Sequence, residues 1–215
     1  MTNMNEENRN YWEEFYNNGK LGLEDIPSQF AAFVLSEFPK RKTILDIGCG
    51  NGRDTFFFAR HVSKVIGIDA SESAISYCNK KRNIMEVDNA FFYCLDVSSI
   101  DGGLELLEGF SSGLEDSVLY ARFFLHAINE ETEKSFLDLA SFASRRGGAV
   151  AVEFRTHRDE QQKKETSEHF RRYINPLQFM DKARSVGLSL SYFTEGFGLA
   201  KYKGDDAHVA RFLFQ

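Results

Sequence analysis

From Thr43 onward, short apolar runs alternate with longer stretches in which apolar residues recur every three or four positions. The runs predict strands at Thr43–Ile47, Lys64–Asp69, Ala90–Leu95, Ser117–Ala121 and Ala149–Arg155, and the periodic stretches predict helices at Gly52–His61, Glu72–Lys81, Leu104–Gly109 and Glu130–Arg145. A polar excursion, Thr156–Asn175, precedes a helix at Pro176–Val186 and two strands in direct succession, Leu188–Glu195 and Ala207–Phe214. This alternation is the pattern of a mostly parallel sheet with helices on both faces. Right-handed crossovers then bring the carboxyl ends of the strands, and the loops after them, to one edge. Ahead of the sheet, Asn10–Phe38 reads as amphipathic helices, with Tyr11 and Phe15, and Trp12 and Tyr16, on adjoining faces. The plain account of those rings is core; the alternative is a cover over the functional edge.

The first strand runs straight into Gly48-Cys49-Gly50-Asn51-Gly52 and then into a helix. Gly48 and Gly50 let the backbone pass where a Cβ collides, and Gly52 lets the helix pack near the strand. The third glycine comes one residue too early for the dinucleotide fingerprint G-x-G-x-x-G. Acids close three strands: Asp46 just before the loop, Asp69 after Gly67-Ile68, and Asp96 after Ala90–Leu95. Each acid read alone is also compatible with a helix cap or a solvated loop residue.

Loop and acids together resemble a class I S-adenosylmethionine (SAM)-dependent methyltransferase, over about Ile44 to Phe154. The resemblance implies a Rossmann-like seven-stranded α/β sheet, mostly parallel with the last strand antiparallel, in a single domain spanning residues 1–215. Residues 1–40 are then an N-terminal helical cover and 156–175 an acceptor-side lid. It also implies roles around SAM: Asp46 shapes the loop near the methionine portion, Asp69 accepts both ribose hydroxyls, and Asp96 faces the adenine amino group. Gly48, Gly50, Gly52, Ala70, Val97 and Tyr120 complete the expected cofactor set. A carboxylate suits a vicinal diol because it accepts two hydrogen bonds at once.

A chain of 215 residues with 42% hydrophobic residues is long enough to bury a full core. The net charge of −6 argues against a general nucleic-acid binder, which needs a basic surface. The three cysteines, Cys49, Cys78 and Cys94, lack metal or redox spacing and read as small buried thiols. The polar start, Met1–Asn10, is no signal peptide, and no apolar run reaches membrane-spanning length. The expectation is a cytoplasmic monomer or homodimer that acts on a small molecule without nucleic acid, membrane or metal.

Acceptor chemistry belongs beyond the fourth and fifth strands, where Arg122, His126, Arg155 and His157 gather and the excursion adds His169, Arg171 and Arg172. A histidine suits deprotonation of an alcohol, whereas arginines suit an acceptor that is already an oxyanion. The expected catalytic set is His126, Arg122 and Arg155; Tyr16, His157, His169, Arg171 and Arg172 are the expected acceptor contacts. A solvated charge run balanced by Asp159, Glu160, Glu165 and Glu168 is the plainer account of the arginines. The strings Tyr120–Ile128 and Glu153–Thr156 are also similar to bacterial small-molecule methyltransferases of surface-polysaccharide and phosphonate- or phosphoramidate-like metabolites. That similarity points to O-methylation of a small anionic or sugar-linked acceptor; the rivals are a sugar-hydroxyl or N-methyltransferase and a SAM-binding module without turnover.

Overall fold

The computed structural model describes residues 4–17, 26–98, 105, 111–162, 164, 169–202 and 204–215. The strands are β1 (Thr43–Ile47), β2 (Lys64–Asp69), β3 (Ala90–Cys94), β4 (Ser117–Arg122), β5 (Ala149–Arg155), β6 (Leu190–Gly196), β7 (Lys201–Tyr202), β8 (Asp205–Asp206) and β9 (Val209–Phe214). Seven of them form one sheet in the order β3-β2-β1-β4-β5-β9-β6, while β7 and β8 pair with each other as a separate hairpin. The pairs β1 to β5 make are parallel, except that β9 is antiparallel to β5 as it is to β6. The helices are α1 (Met4–Asn17), α2 (Gln29–Glu37), α3 (Arg53–Ala59), α4 (Glu72–Ile84), α5 (Glu130–Ser144) and α6 (Pro176–Ser185).

Side chains along a strand alternate between faces, and here the alternation sorts chemistry as well as burial. One face carries Leu45, Ile47, Leu119, Val150, Val152, Phe154 and Phe212 against Phe136 of α5 and Phe179 of α6. The other carries Ile44, Val118, Ala149, Ala151 and Leu213 against Phe30 and Val34 of α2 and Phe58 of α3. Continuing that second face by twos reaches Asp46, Tyr120, Arg122, Glu153 and Arg211. It is therefore apolar at one end and charged at the other, the end where β1, β4 and β5 finish.

Glu153 holds that charged end together. It is wholly buried, lies in register between Arg122 of β4 and Arg211 of β9, and accepts from both Nε atoms, at 2.9 and 2.7 Å. Arg211 also lies over the rings of Phe30 and Phe33 and donates to the Leu199 carbonyl.

The expected strands and helices recur within a few residues of their predicted ends, apart from the helix over 104–109, which lies outside the described residues save 105. The last two strands of the sheet do not follow each other directly, because the β7–β8 hairpin intervenes. Its two-residue strands are too short to show alternation, and a hydrogen bond from Gly198 N–H to Asp206 Oδ1 (2.6 Å) helps close it. The polar excursion is pinned at both ends by a bridge between Thr156 and Ile174, with a short 3-10 turn at His157–Asp159. Residues 163 and 165–168 of it lie outside the described residues.

Removing the shared acid leaves two buried guanidinium groups facing each other. Glu153→Ala is expected to cost about 3–5 kcal/mol of unfolding free energy, the usual loss for breaking one partner of a buried ion pair. Urea denaturation checks this; a loss below about 1 kcal/mol, the level of an exposed pair, contradicts it.

Candidate functional site

The chain leaves β1 through a loop in which Gly48 and Gly50 take left-handed φ values of 72° and 53°. A Cβ on Gly48 falls 2.6 Å from the Phe124 ring and one on Gly50 falls 2.3 Å from the Tyr16 hydroxyl, so both positions require glycine on steric grounds as well. The close approach is thus made by the protein's own aromatic side chains. Gly50 N–H donates to Asp69 Oδ2 at 2.9 Å, and Ser71 N–H donates to Asp69 Oδ1 at 3.0 Å. Burial, with the nearby charge of Glu13, raises the Asp69 carboxyl despite the backbone N–H groups that favour its charge. Asp46 is buried beneath the loop and accepts from Thr55 Oγ1 at 2.6 Å; burial pushes it up to about 7.

Above this loop lies a cavity of about 400 Å³, of the size of a small-molecule site. Gly48, Gly50, Asp69, Ala70, Asp96 and Val97 line one side; Arg122, His126, Arg155, His169 and Arg171 line the other. Helix α1 crosses between the two sides. Its Asn8 donates to the Ala127 carbonyl at 2.6 Å. Its Glu13 accepts from Ser71 Oγ at 2.7 Å, from Ser73 N–H at 3.1 Å and from the Ser73 hydroxyl, capping α4. Trp12, Phe15 and Tyr16 face the cavity, and His169 stacks on Tyr11 at 4.5 Å. Among the described residues of the segment expected to form a cover, α1 lines the cavity. The second half of that segment, α2, belongs to the core: Phe30, Ala31 and Val34 are fully buried.

Tyr120 is a deeply buried part of the wall. Its hydroxyl donates to Asp54 Oδ2 at 2.7 Å, and Asp54 also accepts from Ser28 N–H and Oγ at 2.8 and 2.6 Å. Burial alone raises the Asp54 carboxyl, but Arg122, Arg53 and the Ser28 bonds outweigh it and hold it below the usual range. The Arg122 guanidinium uses Nε on Glu153 and lies 4.2 Å from the Phe123 ring centre. Among the described residues its terminal amines make no hydrogen bond. Arg155 differs: its guanidinium is bound by Asp159 at 2.6 Å and by Asp205 of β8. Phe123, between the two arginines, has φ of 56°, a costly conformation for a residue with a Cβ and one often found at functional sites.

His126 is buried, and its Nδ1 accepts the Arg155 backbone N–H at 3.3 Å. The neutral ring therefore carries its proton on Nε2. Burial first, then the charges of Arg155 and Arg171, hold its pKa well below the ordinary histidine value. It is a donor at neutral pH rather than a ready base.

Three expected site residues lie off the cavity lining. Gly52 caps α3, His157 is exposed, and Arg172 props the wall through Glu133 (2.7 Å) and the His126 carbonyl (2.7 Å). Sequence reasoning missed Glu13, Ser28, Asp205 and Arg211, and took Asp159, which is buried against Arg155, for part of a solvated charge run. A charge inside an otherwise apolar strand, as at Glu153 and Arg211, was the available signal for a buried ion pair. Cys94 is exposed, unlike the other two cysteines, because β3 is the sheet's edge strand. No group of three or more His, Cys, Asp or Glu among the described residues is arranged to hold a metal.

Residues 39–186, more than half of the chain, match the family model described as "Methyltransferase domain". A probable S-adenosylmethionine-dependent methyltransferase of Saccharomyces cerevisiae is 35% identical over 85 residues, covering 38% of this chain and 27% of that protein. An uncharacterized RNA methyltransferase of Chlorobaculum tepidum is 30% identical over 69 residues, 32% of this chain and 14% of that one. The match thus spans well under a third of either curated relative. The crystal structure of a SAM-dependent methyltransferase from Anabaena variabilis aligns with a TM-score of 0.70 at 20% identity, over 100% of this chain and 96% of that one. The CcbJ methyltransferase of Streptomyces caelestis aligns with a TM-score of 0.71 at 15% identity, over 97% and 98%. At these identities the likeness is one of fold.

Asp46 supplies a pH test that needs no ligand. Its carboxyl titrates near 7 when folded against 3.8 for the free group, so the folded state holds the proton that the unfolded chain has lost. Its contribution to stability is complete below pH 3.8 and disappears as the pH rises through about 7. Asp46→Asn is expected to remove this fall, so that the variant's Tm gains on the wild type between pH 4 and 8. A gap between the two Tm values that stays constant over that range rules the assignment out.

Proposed function

The chain belongs to the methyltransferase domain family, class I and SAM-dependent, and we propose that it places the methyl group on an oxygen of a small anionic acceptor. The residues fit the cofactor: a loop whose glycines admit no Cβ, an acid closing β2 beside it, and a cavity of about 400 Å³. Asp69 holds the ribose diol, Asp96 the adenine edge, and Asp46 supports the loop from below. SAM, when bound, supplies an electrophilic methyl group on a sulfonium with a neutral leaving group. The protein therefore has to hold the nucleophile in line and exclude water. Such positioning is worth on the order of 7–11 kcal/mol in favourable cases.

One observation carries the anionic reading. Arg122 is fixed through Nε on Glu153, so its unbonded terminal amines form a pre-oriented fork for an oxyanion. His126 supports it as a neutral Nε2–H donor that orients the acceptor. Arg155, engaged by two carboxylates, acts as a positioning residue that sets the His126 tautomer through its backbone. Charge points the same way. Arg9, Arg53, Arg122, Arg155 and Arg171 on the lining face Asp54, Asp69, Asp96 and Asp205 and an Asp46 that is only partly ionised near pH 7, and SAM brings one net positive charge. An anionic acceptor offsets that excess. One curated relative is named as an RNA methyltransferase, but the net charge of −6 here favours a small acceptor over a polyanion.

Asp69→Ala is expected to weaken binding of S-adenosylhomocysteine (SAH) by about ten- to a hundredfold, the equivalent of losing a hydrogen bond to a charged group. Calorimetric affinity within twofold of wild type refutes the ribose role.

The acceptor is sought by following SAH formation over a panel of phosphosugars, phosphonates, neutral sugars and amines. With a phosphonate or phosphate acceptor, Arg122→Ala should raise KM at least tenfold, whereas His126→Gln should lower kcat by less than tenfold. Glu153 keeps Arg211 as partner in the first variant, so the fold is retained. The reverse order, with a kcat loss of about 10²–10⁴ in His126→Gln, identifies an alcohol acceptor and a general base instead.

A further inference from the structure

Two thiols converge on one carbonyl of the cofactor loop. Cys78, fully buried on α4, lies 3.3 Å from the Gly50 carbonyl oxygen, and Cys49, within the loop, lies 3.9 Å from the same atom. Burial pushes the Cys49 thiol well above its ordinary range, so it keeps its proton and acts as a donor. On the other side of Gly50, its N–H is already given to Asp69. Both backbone groups of this glycine are therefore held, while the Tyr16 hydroxyl closes off the direction a Cβ takes.

The consequence lies one residue on. In a trans peptide the C=O and the following N–H point in opposite directions. With the Gly50 carbonyl drawn back toward Cys78 of α4, the Asn51 N–H points the other way, and Asn51 is among the residues that line the cavity. Among the described residues this N–H makes no hydrogen bond. We propose that Cys78, seconded by Cys49, is a positioning residue for the cofactor: the thiols lock the Gly50–Asn51 peptide so that the Asn51 N–H is presented to the carboxylate of the methionine portion. A backbone donor fixed beforehand costs no reorganisation when the anion arrives. This inference rests on the SAM reading above.

The rival account is that Cys78 merely fills space between α4 and the loop, where its sulfur would lie 3.0 Å from a Cβ on Gly52. Two substitutions separate the accounts, because Cys78→Ser keeps a donor and loses bulk, whereas Cys78→Val keeps bulk and loses the donor. SAH is titrated calorimetrically into the full chain and each variant, with thermal melts alongside. The expected result is Cys78→Ser within twofold of wild type and Cys78→Val weaker by about two- to tenfold, the span of one neutral hydrogen bond. Cys78→Val binding like wild type, or both variants falling together, overturns the proposal. Should either variant fail to fold, the wild-type amide spectrum decides: SAH is expected to shift the Asn51 amide strongly and slow its exchange, and an unchanged Asn51 amide in the saturated protein overturns the proposal. A wild-type chain that binds no SAH at all overturns the cofactor reading itself, and this inference with it.

Discussion

A carboxylate inside a sheet, flanked in register by a guanidinium on each neighbouring strand, is stable only as a set of three. Glu153 is that carboxylate, and β4, β5 and β9 can lie side by side at their charged end only while it is there. Desolvating three charges is costly, and the mutual attraction offsets the cost only because each Nε meets its own carboxylate oxygen. The arrangement also has a directional result. Arg122 is anchored by one nitrogen and projects the remainder of its fork into the cavity, so the central ion pair of the fold also orients the charge of the site.

The same economy recurs around the glycine loop, where each polar group holds two things at once. Asp69 ties Gly50 to Ser71; Ser71 caps α4 through its hydroxyl and receives α1 through Glu13; Ser28 caps α2 and holds Asp54, which in turn takes the Tyr120 hydroxyl. Loop, cover and wall are thereby coupled by short hydrogen-bonded chains rather than by apolar contact alone. Such networks are rigid when fully satisfied, which suits a site whose contribution is position.

The parts legible in the sequence are those whose cause is local. β5 declares itself as seven consecutive mostly apolar residues, and the glycine loop by its spacing, since left-handed backbone and close approach leave few other residues. Asp69 is legible for the same reason, being the residue at which an apolar strand stops. Glu13 and Asp205 carry no such mark. Their roles arise from approaches across 58 and 50 residues of chain, and nothing in their neighbours distinguishes them from solvated acids. For Arg155 the sequence offers Asp159 as a balancing acid, but only in a solvated charge run, and gives no sign of Asp205, 50 residues further on. Cys49 and Cys78 looked isolated because their common target is a backbone oxygen, which no side-chain spacing encodes.

The family model matches residues 39–186, yet α1 and the β7–β8 hairpin, which both contribute to the cavity lining, fall outside that span. Part of the cavity wall is therefore built from segments separate from strands β1 to β5 and the glycine loop. That separation has one boundary. Ala200 lines the cavity and also packs with Ala207 and Val209, while Arg211, a few residues further along the same flank, completes the ion triad within the sheet. The hairpin and the first helix thus shape the wall from outside the sheet, while the strand that follows the hairpin is bound into it by the Glu153–Arg211 pair.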